Sequence, residues 1–443
     1  MHSPDELIAL LREEIRQRRE EGCNVVGHAQ RMRKAGKRID ELNALYDDLM
    51  TLKPEPRLAR REPNDLAGIR RLRPRRPRRI KSPASTARLR DRLRGAFLGR
   101  CAGCMLGKPV EDWHRDRIFK ALKKADRFPL AYYFESSTIE AGGKPIHPAG
   151  VTYCTLGHFK HMERDDDTDY TILGIHCLKT YGPKFTTANV AHEWQMRLPY
   201  FMTYTAERAA YRNLVNRLPL DQVPLYRNPF REWIGAQIRA DGFGYCAAGM
   251  PELAAEFAYR DATLSHAKNG VYGEMLFAAM IAAAAVCDDV REVIEIGLSE
   301  IPAGCRLATA VRDVTRWADE NRNWQDTLHA IHDRYGHYHS VHTINNACLV
   351  IMGLLYGQMD FGKTICITVM GGWDTDCTGA TAGSVLGAML GADRLPRRWI
   401  KPLNNRLESI VIGYNDVRIT DIADAAFEVN RKIRLGGPRF SKG

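Results

Sequence analysis

No apolar run in this 443-residue sequence is long enough to cross a bilayer. The longest, Met275 to Cys287, falls short of the roughly 20 residues a spanning helix needs. The opening stretch, MHSPDELIALLREEIRQ, carries charges where a secretory signal needs apolar residues. Neither secretion nor membrane insertion is expected. A disulfide framework is missing too: the eleven cysteines are an odd number, and Cys287, Cys348 and Cys366 sit in apolar settings that suit reduced thiols in a cytoplasm. Cys101 and Cys104 form the sole C-x-x-C, so no zinc ribbon is completed. Gly-x-Ser-x-Gly is absent, and no cysteine has a recognisable Cys/His protease context, which removes nucleophilic acyl transfer. A P-loop fails as well, because Ala102 and Pro109 stand where Gly and Ser/Thr are required.

Charge of one sign is abundant only locally. The net charge is +12, yet Lys53 to Arg94 alone holds 16 basic and 4 acidic residues, leaving 49 of each sign elsewhere. Any bulk attraction for phosphate therefore lies in this segment. Within it, Arg70 to Arg79 interleaves arginines with Pro74 and Pro77. Like charges repel and proline resists helix formation, so residues 53–87 are expected to form a basic, extended or disordered linker. A solvated tether is the plain reading. The alternative is a contact site in 53–94 for nucleic acid, anionic lipid or an acidic partner protein.

Before the linker, Leu7, Ile8, Leu11 and Ile15 share one helical face, and Ile39, Leu42, Leu45 and Leu49 share another. Residues 1–52 are therefore expected to form a helical hairpin extension whose stripes bury against each other or a partner. From residue 88 to about 436, Ala-rich periodic segments recur at 170–180, 186–198, 251–268, 272–287, 306–320, 344–357 and 379–392. β-branched alternation is scarce, and Thr364 to Met370 is the best strand candidate. No repeat of 20–50 residues appears. The expected class is all-α.

Two acidic clusters carry the chemistry. Asp165, Asp166, Asp167 and Asp169 crowd the start of an apolar periodic stretch. A helix N-terminus welcomes negative charge, but an ordinary cap needs one Asp, and several repelling carboxylates are costly without a cation. All-oxygen ligands of this kind select hard cations such as Mg²⁺, Mn²⁺ or Ca²⁺. The second cluster, Gly371-Gly372-Trp373-Asp374-Thr375-Asp376-Cys377, sets two carboxylates on a turn before a small-residue helix. A shared metal site for the two clusters is the expectation. A third element places Gly95, Gly99, Gly103 and Gly107 on one helical face suited to close packing, followed by Glu111.

Over roughly residues 90–395, these three elements in this order resemble the ADP-ribosylglycohydrolase family. The resemblance implies an all-α orthogonal multi-helix bundle holding a binuclear Mg²⁺ centre, with Mn²⁺ possible, that hydrolyses the glycosidic bond at C1″ of an ADP-ribosyl group. By position, Asp165, Asp166 and Asp167 match the family's Thr-Asp-Asp, with Asp165 in the usual place of Thr. Asp374 and Asp376 match its late Asp pair, and Cys377 replaces a Thr. These are the implied metal ligands. Glu111 matches a Glu near the attacking water, so Glu111, Asp167 and Asp376 are the implied catalytic residues. Cys104 replaces a common Asp, and Trp373 is inserted. His266 matches a His that helps hold the ligand, while Asp241 to Tyr245 matches the glycine-rich diphosphate loop poorly.

Five histidines, His329, His332, His337, His339 and His342, crowd one stretch without completing a zinc tetrahedron, which favours a surface or pocket-lining cluster. Asn345, at the polar tip of the helix that follows, is a candidate substrate contact. The expected substrate is an ADP-ribosylated molecule or a related ribosyl N- or O-glycoside. Two other readings remain: a non-catalytic ADP-ribose-binding protein, motivated by Cys104, Asp165 and Cys377, and a function vested in the N-terminal arm as a docking module.

Overall fold

The computed structural model describes residues 3–75, 80, 85–143 and 153–436. Among them the only sheet is one antiparallel pair, β1 (Arg406–Glu408) and β2 (Asp416–Arg418), with Leu407 opposite Val417. The rest of the regular structure is helical, as the periodicity predicts.

The N-terminal part contains three helices rather than a hairpin: α1 (Pro4–Glu20), α2 (His28–Ala35) and α3 (Ile39–Thr51). Leu7, Leu11 and Ile15 meet Leu42, Leu45 and Leu49 in a separate small core, with Met32 and Ala35 filling it from α2. The stripes are thus largely covered from within, which takes away the motive for assigning them to a partner.

The expected linker is also corrected. It carries α4 (Pro56–Arg61) and α5 (Leu66–Leu72), with Ile69 fully buried. Glu55 and Asp65 cap the two helices by accepting backbone N–H bonds. Carboxylates of the large domain offset the mutual repulsion at four of the arginines. Arg70 binds Glu256 at 2.7 Å, Arg73 binds Glu300 at 2.6 Å and also Glu252, and Arg90 and Arg94 both grip Asp424. These side chains are thereby withdrawn from an anionic partner. The run Arg76 to Arg79 lies outside the described residues.

In the large domain, α6 (Thr86–Gly107), α7 (Asp166–Tyr181), α8 (Asn269–Ala284), α9 (Thr343–Gly357), α10 (Phe361–Met370), α11 (Thr375–Leu390) and α12 (Ile419–Arg434) frame the core. The apolar run from Met275 falls mostly in α8, every residue of which is buried. The strand expected at Thr364 to Met370 is instead most of α10. Its residues are buried on nearly every face, so no alternation or amphipathic stripe is required. Asp360 starts it by accepting the Lys363 N–H at 2.7 Å, and Thr368 satisfies its hydroxyl on the Thr364 carbonyl. The glycine face of α6 packs antiparallel on α11, with Gly95 against Gly387, Gly99 against Gly383, Gly103 against Gly379 and Gly107 against Thr375. This seam brings the C-terminus of α6 to the N-terminus of α11.

A buried polar network fastens the N-terminal helices to this domain. Arg231 reaches Glu14 at 3.1 Å and Glu21 at 2.9 Å, and Arg306 reaches Glu62 at 2.8 Å and Glu232 at 2.7 Å. Beside it, burial and the neighbouring Glu232 push the Glu20 carboxyl from 4.5 up to about 8. Glu21 is held down at about 2 despite its burial, chiefly by Arg231 and Lys268. The signs are opposite. Glu20 binds a proton in the folded protein that the unfolded chain releases, so its contribution to stability falls as pH rises from 4.5 through about 8. Glu21 contributes above 4.5 and loses that contribution as pH falls towards about 2. Thermal unfolding followed between pH 4.5 and about 8 should show a shallower decline for Glu20→Gln than for the wild type. Parallel curves would contradict the assignment.

Candidate metal centre

Three chain segments converge at the seam's end. α6 stops at Gly107, a single turn follows at Lys108–Val110, and Glu111 emerges. Thr375 of α11 donates its hydroxyl to the Gly107 carbonyl at 2.8 Å. The Asp112 N–H donates to the Trp373 carbonyl, and the Trp373 N–H to the Trp113 carbonyl, both at 2.9 Å. These bonds set Glu111 beside Asp374 and Asp376. They also explain the inserted Trp373, which adopts a left-handed φ of 65° after Gly372 at φ 80°. That conformation costs a side-chain-bearing residue about 1–2 kcal/mol. The two backbone bonds and stacking on His332, with ring centroids 4.0 Å apart, hold it there.

The third segment is the start of α7. Asp165 is its cap, accepting the Asp167 N–H at 2.9 Å, and its other oxygen pairs with the Lys108 ammonium. Asp166 and Asp167 are surplus to capping. Donor atoms of Glu111, Asp374 and Asp376 lie within 4.8 Å of one another, as do those of Asp167, Asp376 and Cys377, and those of Cys104, Asp165 and Asp167. Glu111, Asp165, Asp166, Asp374, Asp376 and Cys377 face a cavity of about 470 Å³, whose lining also includes Trp233 and His339.

The electrostatics of this cluster call for a cation. Asp167 Oδ2, Asp374 Oδ1 and Asp376 Oδ1 are buried with no hydrogen-bond partner. Burial, reinforced by the neighbouring carboxylates, pushes Glu111, Asp167 and Asp374 well above the usual carboxylate range and Asp376 up to about 7. Asp165 alone is held below that range, since Lys108 outweighs its burial. Orphaned oxygens on crowded carboxylates are what a divalent cation satisfies, so the residues present fit such an ion.

The structure thus brings together Glu111, Asp165, Asp166, Asp167, Asp374, Asp376 and Cys377. Asp167 sits behind the cavity surface, with one oxygen on Arg100 at 2.8 Å and the other buried without a partner. His266 is not brought to the wall. It is buried in the network around Arg239, with Nδ1 at 2.8 Å from the Ser265 hydroxyl, and only its neighbour Glu207 lines the cavity. Asn345 also lies off the wall and holds the His339 carbonyl at 3.0 Å. One step along the helix turns Asn346 to the centre instead, where Oδ1 accepts the Asp374 N–H at 3.2 Å. Asp241 to Tyr245 forms a buried helix, and Asp241 pairs with Arg100 at 2.7 Å, so this segment cradles no diphosphate. Of the five histidines, His339 lines the cavity and stacks on Trp233 at 4.0 Å.

Sequence reasoning missed Lys108, Arg100, Arg164 and Trp233. Arg100 had a signal: a charge amid the small and apolar residues of a glycine-faced helix must find a buried partner. Trp233 had none.

The model of the ADP-ribosylglycohydrolase family matches residues 85–434. Among solved structures, the chain is similar to one described as an ADP-ribosylglycohydrolase-related protein complex, with 17% identity, a TM-score of 0.49, and coverage of 78% of this chain and 99% of that one. It matches no curated protein. With its all-α architecture and the family match extending over most of its length, the chain belongs to the ADP-ribosylglycohydrolase family.

Proposed function

We propose that the protein hydrolyses the glycosidic bond at the anomeric ribose carbon of an ADP-ribosyl conjugate, using divalent cations held by Asp166, Asp167, Asp374 and Asp376. The observation that carries this reading is the set of buried, unpartnered carboxylate oxygens from α7 and α11 beside one cavity. Bound there, Mg²⁺ or Mn²⁺ would lower the pKa of a water and fix ribose hydroxyls. Glu111, whose carboxyl shares the cavity with Asp374 and Asp376, is placed to accept the water's proton. The carboxylates around it offset positive charge developing on the sugar ring. Trp233 and His339, stacked on each other, supply a flat part of the cavity lining. Residues 88–436 would be the catalytic unit. The eleven free cysteines, all buried, agree with a cytoplasmic setting, and no described helix is long and apolar enough to cross a membrane.

One observation favours a second reading, a ribosyl glycoside without the diphosphate. The cavity lining has two basic residues, Lys108 and Arg164, against seven carboxylates. Both bases are already engaged, Lys108 with Asp165 and Arg164 with Asp169 at 2.8 Å. A panel of Arg-, Ser- and nucleobase-linked ADP-ribose conjugates, run beside simple ribosyl glycosides, separates the two. Cation-dependent release of ADP-ribose from one linkage supports the first reading, and release from the simple glycosides alone supports the second. Silence across the whole panel in cation-loaded protein would leave a binding role.

A further inference from the structure

We propose that the centre is chemically asymmetric: beside an all-oxygen position at Asp374 and Asp376, which Glu111 adjoins, a mixed position uses the Cys377 thiolate with Asp167 and Asp376 and takes a thiophilic divalent cation such as Zn²⁺ or Co²⁺ in preference to Mg²⁺. The inference rests on the cation centre proposed above but not on its reaction.

Two overlapping donor sets share Asp376, and the Cys377 side chain also hydrogen-bonds Asp374. Glu111, Asp374 and Asp376 offer oxygen only, the chemistry of Mg²⁺. Cys377 offers sulfur to the same 4.8 Å group as Asp167 and Asp376, and it is among the residues lining the cavity. The two carboxylates are not committed elsewhere at the atoms that matter. Asp167 Oδ2 and Asp376 Oδ1 are buried and unpartnered, although the other Asp167 oxygen is fixed by Arg100. That ion pair holds Asp167 in one orientation, which leaves Oδ2 as its free donor. Mg²⁺ demands near-octahedral oxygen and does not take thiolate, whereas sulfur with carboxylate suits Zn²⁺ and Co²⁺.

Cys104 is the other thiol near the centre, grouped with Asp165 and Asp167. Both oxygens of Asp165 are already committed, one to the Lys108 ammonium and the other to the Asp167 N–H, so the carboxylate beside Cys104 has no free donor atom. Cys104 is therefore a neighbour of the centre and not a ligand. Among the described residues no further cysteine belongs to a cluster of metal-ligating side chains.

Cobalt reports the ligand directly, because a thiolate bound to Co²⁺ gives a near-ultraviolet charge-transfer band that oxygen ligands do not. Full-length protein freed of metal by chelation and titrated with Co²⁺ should develop a saturable band. Cys377→Thr should bind Co²⁺ without the band, and its Zn²⁺-over-Mg²⁺ preference should fall on the order of tenfold, the size of change that alterations around a metal produce. Cys104→Ser should keep the band. Co²⁺ bound without a band, no Co²⁺ binding, or a band that survives Cys377→Thr would each overturn the proposal. If Cys377→Thr does not fold, Cys104→Ser decides, since Cys104 is the other thiol grouped with these carboxylates: a retained band supports the proposal and a lost band overturns it. A band in protein that releases nothing from any conjugate would sink the hydrolase reading alone. Turnover in protein lacking the band would sink this inference alone.

Discussion

Asp376→Asn should reduce turnover about a thousandfold while the fold persists. Asp376 belongs to both donor groups, one with Glu111 and Asp374 and the other with Asp167 and Cys377, so the substitution weakens both cation positions at once. A bound cation supplies several kcal/mol of stabilisation at the reacting centre, and about 4 kcal/mol corresponds to a factor of about a thousand. Stability should move the other way. In the cation-free protein the Asp376 carboxyl is pushed up to about 7, first by burial and then by Asp165, so a neutral amide removes strain from the site. Without cation, the Asp376→Asn variant should melt no lower than the wild type. Its gain on adding cation should shrink from the roughly 2.7 kcal/mol expected at a hundredfold excess over Kd. A variant that keeps wild-type turnover would remove Asp376 from the mechanism, and one that cannot fold would place its role in the core.

The second large effect lies in the seam. Gly103→Ala should destabilise the protein by at least about 3 kcal/mol, the upper part of the usual range for overpacking. Alanine is the better helix former by roughly 1 kcal/mol, but the steric cost outweighs that gain. A Cβ at position 103 would land on the Gly379 carbonyl, which is helix backbone and cannot swing aside. Relief requires α6 and α11 to part. The same motion would carry Glu111 away from Asp374 and Asp376, so activity at low temperature should fall in whatever fraction still folds. Gly304→Ala is the control. Its nearest neighbour is the flexible end of Arg61 at 3.3 Å, and a change within about 0.5 kcal/mol is expected. Equal melting temperatures for the two variants would show that the seam tolerates separation.

Much of this arrangement was legible in the sequence because its signals are local. Glycine at every fourth position of α6 states how closely a neighbour approaches, and the three consecutive aspartates from Asp165 exceed what a cap needs. The helical class followed from periodic Ala-rich segments. Other features were hidden for physical reasons. α10 is buried all round, so its β-branched residues carry no helical stripe and resemble a strand. The basic segment looked like a tether because its compensating carboxylates, Glu252, Glu256, Glu300 and Asp424, lie far along the chain. His266 and Asn345 matched a pattern, but which side of a helix or loop faces the cavity is decided by tertiary packing. Lys108 is the most instructive omission. It stands in the turn between Gly107 and Glu111, and only the fold shows it neutralising Asp165 inside the acidic centre.

The most direct test is reversible loss of hydrolysis on cation removal. The protein is treated with a chelator, assayed on the conjugate it cleaves, and then reloaded. The account predicts that release of the ribosyl group stops in the stripped protein and returns when divalent cation is restored, but not in Asp376→Asn. Undiminished release by stripped, folded protein would contradict it.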